Sequence, residues 1–388
     1  MNIPLDINIV PSPSYVLEEA KLRHNLAIFD RVQRESGAKI LLALKGFAFW
    51  SSFPWIREVL HGATASSLNE ARLAKEEFQR ETHIYSVAFS DQEFPEVLRT
   101  ADHVVFNSFS QWRRFKSQVG GPSTGSGPHE ARTVSCGIRV NPGYSEIETP
   151  LYDPCYPGSR LGVTREEFRP DELDGIEGLH FHAHCENNSD TLEKVVASFE
   201  KLYGEFIPRM KWINFGGGHH ITRDDYDVDR LIRIVKTFRE KYGVEVYLEP
   251  GEAVGWRTGP LIASVLDIVR NGMEIAILDI SATAHMPDTL EMPYRPAIRN
   301  ASIPEVLPYT YRLGGLTCLA GDVIGDYSFA KPLQIGDRLV FEDQIHYTIV
   351  KNTTFNGVNL PSLCIWTKEG ELRVIRKFGY EDYRNRNS

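Results

Sequence analysis

Between residues 39 and 251 the chain repeats one theme: a short apolar run, a turn signal, then a segment whose apolar residues recur every three or four positions. The runs are KILLAL (39–44), GATAS (62–66), HIYSVA (83–88), HVVFN (103–107), TVSCGIRV (133–140), GLHFHA (178–183), WINF (212–215) and VEVYLE (244–249). Continuous apolar runs, rather than strict alternation, suit parallel strands buried on both faces. SSLNEARLAKEEF (66–78) reads as a helix between two of them, capped by Ser66 or Ser67, with its leucines and alanines on one face. About eight such units in roughly 200 residues predict an α/β fold whose first domain, residues 20–258, is a closed (β/α)8 barrel. An open doubly wound sheet is the rival reading.

After Gly251 the texture changes. LIASVLDIV (261–269), EIAILDI (274–280), DRLVFED (337–343), YTIVKN (347–352) and LCIWTK (363–368) follow one another with turn signals such as Asn271-Gly272 and Asn356-Gly357, and without helical segments between them. This predicts a second, antiparallel β domain over residues 259–388. SYVLEE (14–19) is strand-like and joins it, so residues 1–19 belong there too. AKLRHNLAIFDRVQRES (20–36) has helical periodicity and leads into the first barrel strand. GGPSTGSGPHE (120–130) reads as a polar surface loop.

Composition narrows the function classes. The chain has 388 residues, 42% hydrophobic and 24% charged, which suits two soluble globular domains. A formal net charge of −9 disfavours broad binding to nucleic-acid backbones and agrees with a cationic substrate. The five cysteines, Cys136, Cys155, Cys185, Cys318 and Cys364, are odd in number and widely spaced, without a CxxC pair. They argue against a disulfide framework and for a reducing compartment. The first ten residues lack a basic head and a long apolar run, and no stretch reaches the length of a membrane span. A cytoplasmic protein without membrane or nucleic-acid partners is expected.

Candidate chemistry collects where the barrel strands end, on one rim. Lys45 closes the first run. A lysine in that partly desolvated place has a lowered pKa and a neutral amine able to attack an aldehyde, although strand-end lysines also snorkel to solvent. Gly216, Gly217 and Gly218 close the seventh run and precede helical sequence, a cradle for an anion or simply a tight turn. Glu249 projects from the eighth strand before Pro250-Gly251. His182 closes the sixth. His180, His182 and His184 alternate, but their spacing matches no strong zinc signature, and no metal is expected.

The ordered set LALKGF, LHFHAH, INFGGG, YLEPG, GGLTCLAGD and HYTIVKNTTFNG, running nearly the whole chain, resembles the barrel-type pyridoxal-phosphate decarboxylases. HFHAHCE, EPGEAVG and SATAHMPDTLEMPYRP are most similar to the branch acting on carboxylated norspermidine and spermidine. The resemblance implies pyridoxal 5'-phosphate held by Lys45 as a Schiff base and stacked on by His182. It implies a phosphate bound by Gly216 to Gly218 and the Tyr347 hydroxyl, and Glu249 paired with the pyridine nitrogen. Cys318 would govern protonation of the carbanion. Because the segment around Cys318 and Asp322 reaches a second subunit's site in this family, a homodimer with shared sites is implied. Asp279 falls where relatives bind the distal amine, Arg295 is a candidate for the substrate carboxylate, and Asp322 and Glu252 are further groups for a polyamine.

The chain departs from the family pattern in three places. Glu252 stands where relatives carry a phosphate-binding arginine. Leu319 stands where readers of short diamino acids carry an acidic residue. His184 and Cys185 replace smaller residues. Ornithine or diaminopimelate decarboxylation is the alternative activity, and a catalytically silent regulator of polyamine enzymes is the alternative of another class.

Overall fold

The computed structural model describes residues 3–119 and 134–388, and the predicted loop at 120–130 lies outside them. The chain forms two compact units. One comprises Asn25–Gly46 and Trp50–Val254; the other comprises the chain up to His24, Phe47–Phe49 and Gly255–Ser388.

After β1 (Ser14–Glu18), eight strands close the first unit into a parallel barrel: β2 (Lys39–Ala43), β3 (Gly62–Ala65), β4 (Glu81–Tyr85), β5 (His103–Phe106), β6 (Ser135–Arg139), β7 (Gly178–His180), β8 (Trp212–Asn214) and β9 (Glu245–Leu248). The β2–β9 pairing, Lys39 beside Tyr247, completes the ring and excludes the open sheet. Large side chains fill the interior, with Leu41, Val105, Trp212 and Tyr247 from β2, β5, β8 and β9 forming one buried cluster. Trp212 explains two strand glycines: a Cβ at Gly137 or Gly178 would sit 2.3 or 2.1 Å from its indole.

The connecting helices obey ordinary end rules. Ser67, rather than Ser66, caps Leu68–Leu73 by accepting the Glu70 N–H at 3.3 Å, and Glu70 returns an acceptor to the Ser66 N–H. Asp227 caps Val228–Tyr242, which buries Leu231, Val235 and Phe238 and stops at left-handed Gly243.

The second unit is a mostly antiparallel nine-stranded sheet of β1, β10 (Leu261–Asn271), β11 (Met273–Leu278), β12 (Ala301–Ser302), β13 (Tyr309–Gly314), β14 (Val323–Phe329), β15 (Arg338–Phe341), β16 (Ser362–Trp366) and β17 (Leu372–Arg376). Two of its pairs, β1–β16 and β11–β13, are parallel. The run YTIVKN is a correction: Tyr347–Lys351 is one helical turn, not a strand. Its β-branched residues favour a strand, but Thr348 Oγ1 donates to Gln344 Oε1 (3.1 Å) and the Thr353 N–H to the Ala284 carbonyl (2.8 Å). Tertiary contacts override local propensity here. Conversely, β13 and β14 were not among the expected runs.

Candidate active site

Lys45 follows the last residue pair of β2 in a turn closed by the Gly46 N–H on the Ala43 carbonyl (3.1 Å). That turn lies against the one after β9: Ala43 N–H donates to Pro250 O (2.9 Å), and a Cβ on Gly46 would meet Glu252 N at 3.0 Å. The barrel's closing seam thus brings Lys45 and Glu249-Pro250-Gly251 together. The Lys45 side chain is reachable from solvent, yet the surrounding protein desolvates it. Desolvation first and the Arg139 charge second hold its ammonium below the usual lysine range, against Glu249, Cys185 and Glu70. The strand-end reading of Lys45 as a mobilisable amine has its physical basis in that balance.

The next feature on the rim is the turn after β8. Gly216 and Gly218 adopt φ of +70° and +81°, which side chains resist. A Cβ at positions 216, 217 or 218 would lie 2.4, 2.4 or 2.2 Å from the carbonyls of Phe181, Glu249 and His184. Only three consecutive glycines let the backbone pass there. Asn214, the last residue of β8, ties this turn to the next strand: its Oδ1 accepts the Gly216 N–H (2.8 Å) and its Nδ2 donates to Glu249 Oε1 (2.8 Å).

Glu249 is 8% exposed, and its other oxygen lies 3.3 Å from His180 Nε2. Burial pushes its carboxyl up, but His180, then His83 and the Asn214 amide, outweigh burial and hold it at about 2. Burial holds the His180 pKa below the usual histidine value. The result is a fixed carboxylate at the rim. His182 lies beyond the hydrogen-bonded part of β7, which ends at His180. Its Nδ1 accepts the Gly217 N–H (2.8 Å), and burial, Lys45 and Arg139 keep the ring neutral. The ring is thereby clamped by one edge. Glu252 opens the short helix Glu252–Gly255, half-buried, 3.7 Å from His220 Nε2.

The sheet unit holds the remaining candidates. Buried Asp322 gathers four donors: Ser281 Oγ (3.0 Å) and Thr283 N–H (3.3 Å) on one oxygen, Thr317 N–H (3.1 Å) and Thr317 Oγ1 (2.7 Å) on the other. It thereby braces the loop carrying Cys318, which is exposed and whose N–H donates to Asn356 Oδ1 (2.7 Å). Leu319 beside it is exposed. Asp279 Oδ1 accepts the Ser264 N–H (2.8 Å), and burial pushes its carboxyl above the usual range. Arg295 lies over the Tyr327 ring at 4.0 Å. Tyr347 opens the helical turn described above.

Within the barrel unit the structure brings together Lys45, His182, Gly216–Gly218, Glu249 and Glu252; Cys318, Asp279, Asp322, Arg295 and Tyr347 belong to the sheet unit. The sequence assigned no role to three rim residues. Asn214 and His180 lie inside the quoted motifs INFGGG and LHFHAH, and their roles follow only from the neighbouring strand. Arg139, 5% exposed, donates to the His182 carbonyl (3.1 Å) and lies over the Tyr85 ring at 4.7 Å. An arginine closing an apolar strand was the same signal that singled out Lys45.

These groups fit pyridoxal phosphate: an amine that gives up its proton easily, a cradle only glycine backbone can form, a neutral flat ring, and a buried ionised carboxylate. Comparison with known proteins agrees. The profile of the family described as "Pyridoxal-dependent decarboxylase, C-terminal sheet domain" matches residues 83–344. A carboxynorspermidine/carboxyspermidine decarboxylase of Campylobacter jejuni is 49% identical, over 97% of this chain and 99% of that one. A carboxyaminopropylagmatine decarboxylase of Synechocystis is 46% identical, over 98% and 96%. The crystal structure of C. jejuni carboxynorspermidine decarboxylase complexed with norspermidine superposes with a TM-score of 0.89 at 48% identity, covering 97% of this chain and all of that one.

Proposed function

The chain belongs to the pyridoxal-dependent decarboxylases, and from that premise we propose that it decarboxylates carboxynorspermidine, and carboxyspermidine, to norspermidine and spermidine. The observation that carries the reading is the near-full-length identity to a relative of that activity, joined to a rim on which Lys45, the glycine turn and an ionised Glu249 meet.

When bound, the cofactor supplies an electron sink for the carbanion left by loss of carbon dioxide. Lys45, with its lowered pKa, is the amine that would hold the cofactor's aldehyde and give way to the substrate's amine. Glu249 would hold a proton on the ring nitrogen; its charge persists because Asn214 donates to it and His180 lies beside it. His182 packs flat without adding a competing positive charge. The Gly216 and Gly217 amides are engaged within the turn, so amides from Gly218 onward would take the phosphate. Glu252 stands near Lys45's turn as an acceptor for a substrate ammonium, and Arg295 and Asp279 serve its carboxylate and distal amine. Asp322 acts through the loop it braces.

The 46% identity to the Synechocystis enzyme supports a second reading. Both substrate names place a carboxyl on an aminopropyl arm, and they differ at the far end, ammonium against guanidinium. Incubating the cofactor-loaded protein with carboxynorspermidine and identifying the product tests the first reading; norspermidine and carbon dioxide in equal amounts are expected, and neither should form if the reading is wrong.

The shared-site homodimer is part of the same proposal: Cys318 of one subunit protonates the carbanion at the site holding Lys45 of the other. Mixing inactive Lys45→Ala with inactive Cys318→Ala subunits then restores activity. Random exchange makes about half of the dimers hybrids, each with one intact site of two, so recovery approaches roughly a quarter of wild type. No recovery despite demonstrated exchange places both residues in one chain's site or makes Cys318 structural.

A further inference from the structure

Three ligand-type side chains meet inside the barrel at the end opposite Lys45. Glu81 and His83 are two residues apart on β4 and therefore share a face. The parallel register sets His83 beside His103, the first residue of β5. One donor atom from each of the three lies within 4.8 Å of the others. Glu81 Oε1 is 2.9 Å from His83 Nε2 and 4.0 Å from His103 Nε2, and His61 Nε2 is 3.3 Å from Glu81 Oε2. The two imidazoles stack at 3.9 Å with planes 9° apart, an arrangement that two imidazolium ions would oppose. His83 Nδ1 and His103 Nδ1 are buried without a hydrogen-bond partner.

We propose that Glu81, His83 and His103 bind a divalent ion of zinc type, with His61 or water completing its shell. Two imidazoles with a carboxylate are a donor set that suits such an ion. Bonds of about 2.0–2.2 Å in a tetrahedral shell put ligand atoms roughly 3.3–3.5 Å apart. The separations of 2.9 and 4.0 Å bracket that value. The ion replaces the proton shared by Glu81 and His83, and the His103 ring turns out of its stack by less than about 1 Å. Access is provided by a cavity of about 490 Å³ lined by Lys75, Gln79, Arg80, Glu81 and Asp102. The half-buried Lys39 ammonium near the cluster is offset by Glu245 at 2.6 Å. An ion there clamps β4 to β5 at the barrel floor.

The test uses cofactor-loaded protein, stripped with a chelator and dialysed against zinc. About one ion per chain should be retained, with a Kd below about 1 µM. Glu81→Gln/His103→Gln should weaken binding at least about a hundredfold while bound pyridoxal phosphate per chain stays unchanged, because Glu81 and His103 open β4 and β5 at the barrel end opposite Lys45. Should that variant misfold, anomalous diffraction from zinc-soaked wild-type crystals decides, with a peak expected between Glu81, His83 and His103. No retained ion, a peak elsewhere only, or wild-type affinity in the double variant overturns the proposal.

Discussion

Lys45→Ala is expected to abolish covalent cofactor retention and activity together, with kcat/KM falling by at least about a thousandfold, roughly 4 kcal/mol of barrier. The reason is local. Among the described lysines, Lys45 is the one whose pKa burial and a neighbouring guanidinium lower, so its amine gives up a proton more readily than a surface lysine's. Alanine also removes a positive charge from beside His182 and Glu249, which does not harm the fold: Ala43, Gly46 and Pro250 hold the turn through backbone hydrogen bonds that do not involve the Lys45 side chain. The variant should therefore remain folded and still bind cofactor reversibly through the glycine turn. The check is borohydride reduction followed by mass measurement of the chain. A trapped adduct in Lys45→Ala would assign the anchor to another lysine.

Glu249→Gln should keep the fold and lose at least about tenfold in kcat, or roughly 1.4 kcal/mol. The substituted amide would still accept from Asn214, but being neutral it cannot hold a proton on the pyridine nitrogen, and the electron sink weakens. The sign of the pH effect follows from the depressed pKa. A carboxyl whose folded value is about 2, below its unfolded value, contributes stability that is present above the unfolded value and lost as pH falls through about 2. Glu249 thus stays charged across the enzyme's working range, and the acid limb of the wild-type rate profile belongs to other groups. The variant should lower the plateau without moving that limb. A loss smaller than tenfold would place the ring nitrogen's partner elsewhere.

The barrel was legible in the sequence because its strands are short, apolar and separated by helical segments, a pattern set by burial on both faces. Strand ends were less legible. HIYSVA was read from His83 to residue 88, whereas β4 runs Glu81–Tyr85, because polar Glu81 and Thr82 hid the start. GLHFHA overran β7, which stops at His180, since the rim residues continue apolar after the ladder ends. Lys45, Glu249 and the glycines could be found because each follows an apolar run and each has a chemical reason to be there. Asn214 and His180 could not, because their partner, Glu249, is brought near only by the register of three parallel strands. The Glu81–His83–His103 cluster was invisible for the same reason: His103 lies 20 residues from His83 in sequence and beside it in space.

The substrate assignment is tested most directly by kcat/KM for carbon dioxide release from carboxynorspermidine, carboxyaminopropylagmatine, diaminopimelate and ornithine, measured on the same cofactor-loaded preparation. Each distal ammonium paired with a carboxylate is worth about 1.5–3 kcal/mol, and the two short diamino acids cannot reach two such contacts. Carboxynorspermidine should therefore exceed ornithine and diaminopimelate by roughly a hundredfold to ten-thousandfold, and should also exceed carboxyaminopropylagmatine. Equal or faster turnover of diaminopimelate or ornithine would contradict the account, and a clear preference for carboxyaminopropylagmatine would transfer the substrate to the second reading.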